Sequence, residues 1–301
     1  VCMMKQLLFR GMATALVTPM HPDGSVDLQT LARLTEWQIQ SGAAALVPCG
    51  TTGEAATLTL QERTTVIRTV AGTASGRVPV IAGAGCNDTA RALENCKAAA
   101  AAGADALLLV TPYYNKCTQK GLVAHYTGLA SATHLPVILY NVPSRTGVTI
   151  DMESRRALAK IDNIIGLKEA GTDFSLIGQH LSELQDTLPL YSGNDDLTLP
   201  LMAMGAAGCI SVLGNVLPHS AAALCNALLQ DDLPAARLLH YAMLPLIKAL
   251  FCEVNPIPVK AAMSLVGFPC GSCRMPLSEI EPQHFALLKN RIESAKQHEL
   301  C

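Results

Sequence analysis

Eight short apolar runs recur along this chain at fairly even spacing: 13–17, 45–48, 78–82, 106–110, 137–141, 164–168, 188–192 and 209–213. Unbroken apolar runs of this length mark strands buried on both faces, whereas a half-exposed strand alternates. The stretches between them carry helix signals. Asp27 precedes Leu28, Leu31, Leu34 and Ile39, with a stop at Gly42, and Thr59 and Glu62 have the spacing of a capping box. Asp88 opens a third helix that closes at Gly103. Strand then helix, repeated eight times, predicts an α/β fold in which a parallel sheet closes into a (β/α)8 TIM barrel. A doubly wound sheet is the competing arrangement, but it calls for fewer units and a Gly-rich loop after an early strand. Gly83-Ala84-Gly85 follows the third run and lacks the last glycine of G-x-G-x-x-G, so it is set aside.

The pattern ends near residue 232. This divides the chain into a barrel, 1–232, and a C-terminal helical region, 233–301, with helices over 233–252, 258–266 and 282–297. Residues 197–230 carry no Asp, Glu, Lys or Arg and rival the ~20 apolar residues of a membrane span. Pro200, Gly205, Gly208, Gly214, Asn215 and Pro218 interrupt them, which reads instead as helix, strand, turn and helix inside a core. The chain has 301 residues, half of them hydrophobic and 15% charged, enough for a large core. A net charge of −2 gives nucleic acid or an anionic membrane no electrostatic hold, so the expected partner is a small molecule. Eleven cysteines are scattered, several inside apolar runs (Cys49, Cys96, Cys209, Cys225), with no secretory signal, which suggests a reduced, cytoplasmic setting. Cys270-Gly-Ser-Cys273 has C-x-x-C spacing without a second pair or matching histidines, and reads as a loop. The eight histidines show no ligand spacing, and neither a metal nor an organic cofactor is expected.

In such barrels chemistry sits at the C-terminal ends of the strands. The second run exits into Gly50-Thr51-Thr52-Gly53-Glu54, the fourth into Thr111-Pro-Tyr113-Tyr114-Asn115, and the fifth into Tyr140-Asn-Val-Pro-Ser-Arg145-Thr-Gly147. The seventh ends in Ser192-Gly193-Asn194-Asp195-Asp196. Three of the six tyrosines fall on these exits, a clustering that packing alone does not explain. The sixth run ends in Lys168. Burial disfavours an ammonium ion, and a neutral lysine attacks carbonyl carbons to form Schiff bases; a structural ion pair is the alternative. The other nine lysines stand in polar or helix-like surroundings where a solvated charge is expected. Thr51 and Thr52 could be turn residues, yet their glycine-flanked loop also offers backbone N–H groups to a small carboxylate. Glu54 reads as a helix-start carboxylate. Arg145, at the barrel mouth, can grip a carboxylate in its planar fork.

These stretches resemble the dihydrodipicolinate synthase family of pyruvate-dependent class I aldolases. The resemblance runs nearly end to end, from Ala15-Leu-Val-Thr-Pro19 through Ala45-Leu-Val-Pro-Cys-Gly-Thr-Thr-Gly-Glu54 and Ile165-Gly-Leu-Lys-Glu-Ala170 to Asn255-Pro-Ile-Pro-Val-Lys260. It implies condensation of pyruvate with aspartate semialdehyde through an enamine, at the entry to the diaminopimelate and lysine branch. Lys168 matches the Schiff-base lysine and Tyr140 the general acid/base. Thr51 and Tyr114 match the rest of a proton relay, Tyr114 being supplied across a tight dimer interface. Thr52 matches the contact for pyruvate's carboxylate and Arg145 that for the aldehyde substrate's carboxylate, while Gly193 and Ile210 line the pocket. The implied assembly is a homotetramer of two such dimers. Relatives inhibited by lysine carry histidines and a glutamate at an interface site where this chain has Leu60, Arg63 and Arg91, although Asn87 and Tyr113 are retained. Weak or absent feedback inhibition is therefore expected. The nearest rival is an N-acetylneuraminate lyase or a 2-keto-3-deoxy sugar acid aldolase, which would want a hydroxyl-binding pocket in place of the Arg145 clamp. A non-catalytic metabolite-binding barrel is the rival from another class, opposed by Lys168, Tyr140, Thr51 and Tyr114 occurring together.

Overall fold

The computed structural model describes residues 5–297, so Cys2, His298 and Cys301 lie outside the described residues. Its strands are β1 (Gly11–Ala15), β2 (Ala45–Val47), β3 (Ile81–Gly83), β4 (Ala106–Val110), β5 (Val137–Asn141), β6 (Ile164–Glu169), β7 (Leu190–Ser192) and β8 (Gly208–Ser211). They pair in parallel in the order β2-β1-β8-β7-β6-β5-β4-β3. A parallel bridge between Leu46 and Val80 joins the two ends. The Gly83 N–H to Pro48 carbonyl bond of 2.9 Å extends that seam, so the sheet is the expected closed (β/α)8 barrel.

Four strands begin elsewhere than the apolar runs suggest: β7 two residues late, β8 one early, and β1 and β3 for reasons visible in their pairing. β1 starts two residues early because Gly11 and Met12 pair with Gly208 and Cys209. β3 starts late. Pro79 has no N–H for the ladder and contributes only its carbonyl, to the Leu46 N–H at 3.0 Å. The helix signals are all used: Asp27 accepts from the Thr30 N–H, Thr59 and Glu62 form a complete capping box, and Asp88 accepts from the Ala90 N–H.

Alternation along each strand separates two cores. Inward residues fill the narrow barrel, small on β1 and β2 (Ala13, Ala15, Ala45) and larger opposite (Leu108, Ile138, Tyr191). Outward residues such as Leu107, Leu109, Leu139 and Leu167 join a more extensive core beneath the helices. Gly83 and Gly85 belong to this packing. A Cβ on Gly83 would lie 2.0 Å from the Cys49 carbonyl oxygen, and one on Gly85 2.5 Å from the Val110 nitrogen. Close strand contact, not a nucleotide loop, accounts for the pair.

Residues 197–230 form helix Thr198–Ala203, strand β8 and helix Pro218–Leu229, broken where the glycines and prolines stand. No helix among the described residues is long and apolar enough to cross a membrane. Helices Leu233–Ala249, Ile257–Leu265 and Pro282–Gln297 follow. They are tied to the barrel by an ion pair that corrects two expectations. Lys260 is not solvated: its Nζ lies 2.7 Å from Glu54 Oε1, with the side chains 1% and 2% exposed. Glu54 makes no side-chain cap and instead receives Lys260 and, at 2.8 Å, the Arg274 N–H. Lys5 departs likewise, donating at 2.7 Å to each of the Ala159, Ile161 and Ile164 carbonyls, where helix Met152–Ala159 leads into β6.

Candidate active site

The register of β5 with β6 sets Tyr140 beside Lys168. Both residues point into the barrel and are buried, and the Lys168 Nζ rests 4.1 Å from the centroid of the Tyr140 ring. From the next strand Gly193 closes on the same lysine. A Cβ there would meet Lys168 Cε at 3.1 Å and the Ala170 Cβ at 3.0 Å, so a side chain at this position would crowd the lysine. Ile210, inward on β8, packs in the same inner core as Tyr140.

Behind the lysine the barrel wall is polar. Glu169 faces outward, its carboxylate 2.6 Å from the Arg155 guanidinium and 2.8 Å from Asn141 Nδ2, and it also accepts from the Gly171 N–H at 2.7 Å. Buried Asp195 accepts from the Ser211 hydroxyl and from the Val212 and Leu213 N–H groups at 3.0 and 2.9 Å. Burial pushes the Asp195 carboxyl above its ordinary range, against the opposite pull of these donors and of Lys168. Glu169, Asp195 and Asn255 (below) carry no sequence signal beyond their nearness to a strand exit or a matched motif.

A cleft of about 640 Å³ opens at the C-terminal end of the strands. Tyr140 forms part of its wall, with Thr51, Arg145 and Asn255. Lys168 is not in that wall, but touches Tyr140, which is. Arg145 projects from the short helix Pro143–Thr146, and its Nη2 donates to the Asn255 carbonyl at 3.2 Å. Thr52 is buried, and its Oγ1 accepts from Asn255 Nδ2 at 3.1 Å. Tyr113, Leu60, Arg63 and Arg91 line the outer part of the same cleft. Arg63 is held by the Gly83 and Ala55 carbonyls, and Asn87 Nδ2 donates to the Tyr113 carbonyl at 3.1 Å. Burial, followed by the Cys86 thiol, pushes the Tyr113 phenol up. A second cleft of about 690 Å³, between the β6 exit and helix Leu233–Ala249, is lined by Asn194, Asp195 and Asp196 but by none of the residues given a role from sequence.

Tyr114 stands apart from this group. It is 91% exposed and is held at φ 72°, a left-handed backbone uncommon for a bulky residue. Cys270 and Cys273 are free thiols in the loop after helix Ile257–Leu265. Burial raises both to about 12, which makes them poor nucleophiles. An amine against a phenol, beneath a cleft with hydroxyl and guanidinium donors, can form an imine with a keto acid and move protons around it.

Comparison with known proteins agrees with this chemistry. Residues 8–295 match the model of the dihydrodipicolinate synthetase family. The chain is 49% identical to the 4-hydroxy-tetrahydrodipicolinate synthase of Exiguobacterium sibiricum, over 94% of this chain and 97% of that one. Among solved structures it is similar to the chloride-inhibited dihydrodipicolinate synthase of Acinetobacter baumannii, complexed with pyruvate. The TM-score is 0.93 at 43% identity, covering 95% of this chain and 99% of that one. A monomeric dihydrodipicolinate synthase variant superposes equally well, with TM-score 0.93 at 40% identity over 96% and 97% of the two chains.

Proposed function

Because this chain belongs to the dihydrodipicolinate synthetase family, we propose that it condenses pyruvate with aspartate semialdehyde to give 4-hydroxy-tetrahydrodipicolinate, in the diaminopimelate and lysine branch. The observation that carries the residue assignment is the contact of the Lys168 amine with Tyr140 at the base of a cleft walled by Thr51 and Arg145. The amine attacks the keto carbon of pyruvate, and loss of water leaves an imine. The imine acidifies the methyl group, whose proton departs to give an enamine. The enamine carbon attacks the aldehyde, and the amino group of the second substrate then displaces Lys168 from the imine carbon, closing the ring. Each step moves a proton, a role we give to Tyr140 with Thr51 and Tyr114. Thr52 receives pyruvate's carboxylate and Arg145 that of the aldehyde. Gly193 leaves room for the amine, and Ile210 supplies apolar wall. The chemistry needs neither metal nor organic cofactor.

Arg145 favours this reading over sugar-acid cleavage, because a guanidinium fork suits a second carboxylate better than a row of hydroxyls. Turnover of pyruvate with aspartate semialdehyde, measured beside cleavage of N-acetylneuraminate and of a 2-keto-3-deoxy sugar acid, tests it. Faster cleavage of either sugar acid would reverse the assignment.

We assign the homotetramer to this chain as well, supported by an exposed tyrosine held at positive φ. Mixing Tyr114→Phe with Lys168→Ala protein should restore activity in hybrid dimers carrying one complete relay. A fully active monomer would remove the shared relay. The 1–232 barrel and the 233–301 helical region form one folding unit in this proposal, because Lys260 and Asn255 bond to the β2 exit. Nine free cysteines among the described residues support a reduced, cytoplasmic setting.

A further inference from the structure

Asn255 joins the positions assigned to the two substrates' carboxylates. Its backbone carbonyl accepts from Arg145 Nη2 at 3.2 Å, and its side chain donates from Nδ2 to Thr52 Oγ1 at 3.1 Å, across 203 residues of sequence. It is buried in the cleft wall, yet its Oδ1 has no partner among the described residues. Leaving a buried acceptor unpaired costs free energy, so stability alone does not favour asparagine here.

A threonine hydroxyl has one proton to give and lone pairs to receive. When Asn255 donates to Thr52 Oγ1, it occupies a lone pair and leaves the hydroxyl proton free for a third group. Were the neighbour an acceptor, Thr52 would spend its proton on it and turn only lone pairs toward the cleft, which would repel a carboxylate. We propose that Asn255 is a positioning residue that sets the direction of the Thr52 hydroxyl, making it a donor to the carboxylate of a 2-keto acid. The proposal rests on the reading that Thr52 receives pyruvate's carboxylate, and it adds a residue that never touches the reacting atoms.

The test measures the pyruvate concentration that half-saturates borohydride trapping, which needs no second substrate, for Thr52→Val, Asn255→Leu and Asn255→Asp. Thr52→Val and Asn255→Asp should require ~10- to 100-fold more pyruvate, the loss of one hydrogen bond to a charged group, and Asn255→Leu, which leaves the hydroxyl its proton but nothing to aim it, ~3- to 10-fold more. Asn255→Leu should keep the wild-type melting temperature, since it removes the unpaired acceptor together with the donor. Asn255→Asp discriminates further. As a carboxylate it can only accept; once protonated it can donate to Thr52 again, so its defect relative to wild type at the same pH should shrink in acid. Asn255→Leu should show no such recovery. If Thr52→Val binds pyruvate normally, the underlying reading of Thr52 fails. If Thr52→Val is impaired while both Asn255 variants bind pyruvate like wild type, or if Asn255→Asp shows no acid recovery, the positioning role fails while that reading survives.

Discussion

Replacing Lys260 with methionine isolates what holds the Thr51-Thr52 loop in place. The change keeps most of the side-chain volume but removes the cation 2.7 Å from Glu54, in a site where both side chains are at most 2% exposed. Glu54 would keep the Arg274 N–H at 2.8 Å but no compensating charge, and the Ser272 carbonyl would lose the ammonium that reaches it at 2.9 Å. Removing one partner of a buried ion pair leaves an uncompensated charge and costs ~3–5 kcal/mol. At about 2 °C per kcal/mol for a chain of this length, the melting temperature should fall by ~6–10 °C. A Glu54→Gln, Lys260→Met double variant removes both charges and keeps an acceptor for Arg274. It should recover to within ~1–2 kcal/mol of wild type, because neutral replacements of buried pairs are often nearly neutral in stability. Glu54 lies two positions after Thr52 with φ 55°, so the single variant should also need more pyruvate for half-saturation while still folded. Differential scanning calorimetry of the three proteins decides the matter. A single variant melting within 2 °C of wild type, or a double variant as unstable as the single, would refute the charge argument.

Other outcomes follow from the same geometry. Arg145→Ala should raise the KM for aspartate semialdehyde by ~10- to 100-fold with little change in pyruvate trapping, and Arg145→Lys should rescue it only in part, as a point charge replaces a fork. Lysine at micromolar concentration should leave initial rates unchanged, because the Arg63 and Arg91 cations line the cleft beside Tyr113 and repel an ammonium group; half-inhibition in that range would contradict this. Burial, then the charge of Arg155, holds the His180 imidazole down to about 4. Its folded value lies below its unfolded one, so the unfolded chain takes up the proton first. Stability is then full above about pH 6.5 and declines toward pH 4 by up to ~3 kcal/mol; chemical denaturation of His180→Gln should show a flatter profile over that window.

Much of this molecule could be read along the chain because its determinants are local. Apolar runs fixed the strands, and Asp27, Thr59 and Asp88 marked helix starts through contacts two or three residues away. The site was legible through topology: once eight strands close, their exits converge, and Lys168 and Tyr140 meet because their strands are neighbours. What escaped was long-range polar pairing. Lys260 looks like any helical surface lysine until the chain brings it to Glu54, 206 residues away, and nothing in the spacing of Asn255 and Thr52 announces their bond. Such pairs are set by where helices dock against loops, which neither periodicity nor capping encodes. That Tyr114 follows the fourth strand was foreseeable, but its left-handed backbone was not, since propensity alone argues against it.

The most direct measurement is reduction of the protein with borohydride in the presence of pyruvate, followed by mass mapping of the peptides. The account predicts one reduced pyruvate adduct, on the peptide carrying Lys168, and its loss in Lys168→Ala. Turnover by a protein whose Lys168 peptide stays unmodified would contradict it.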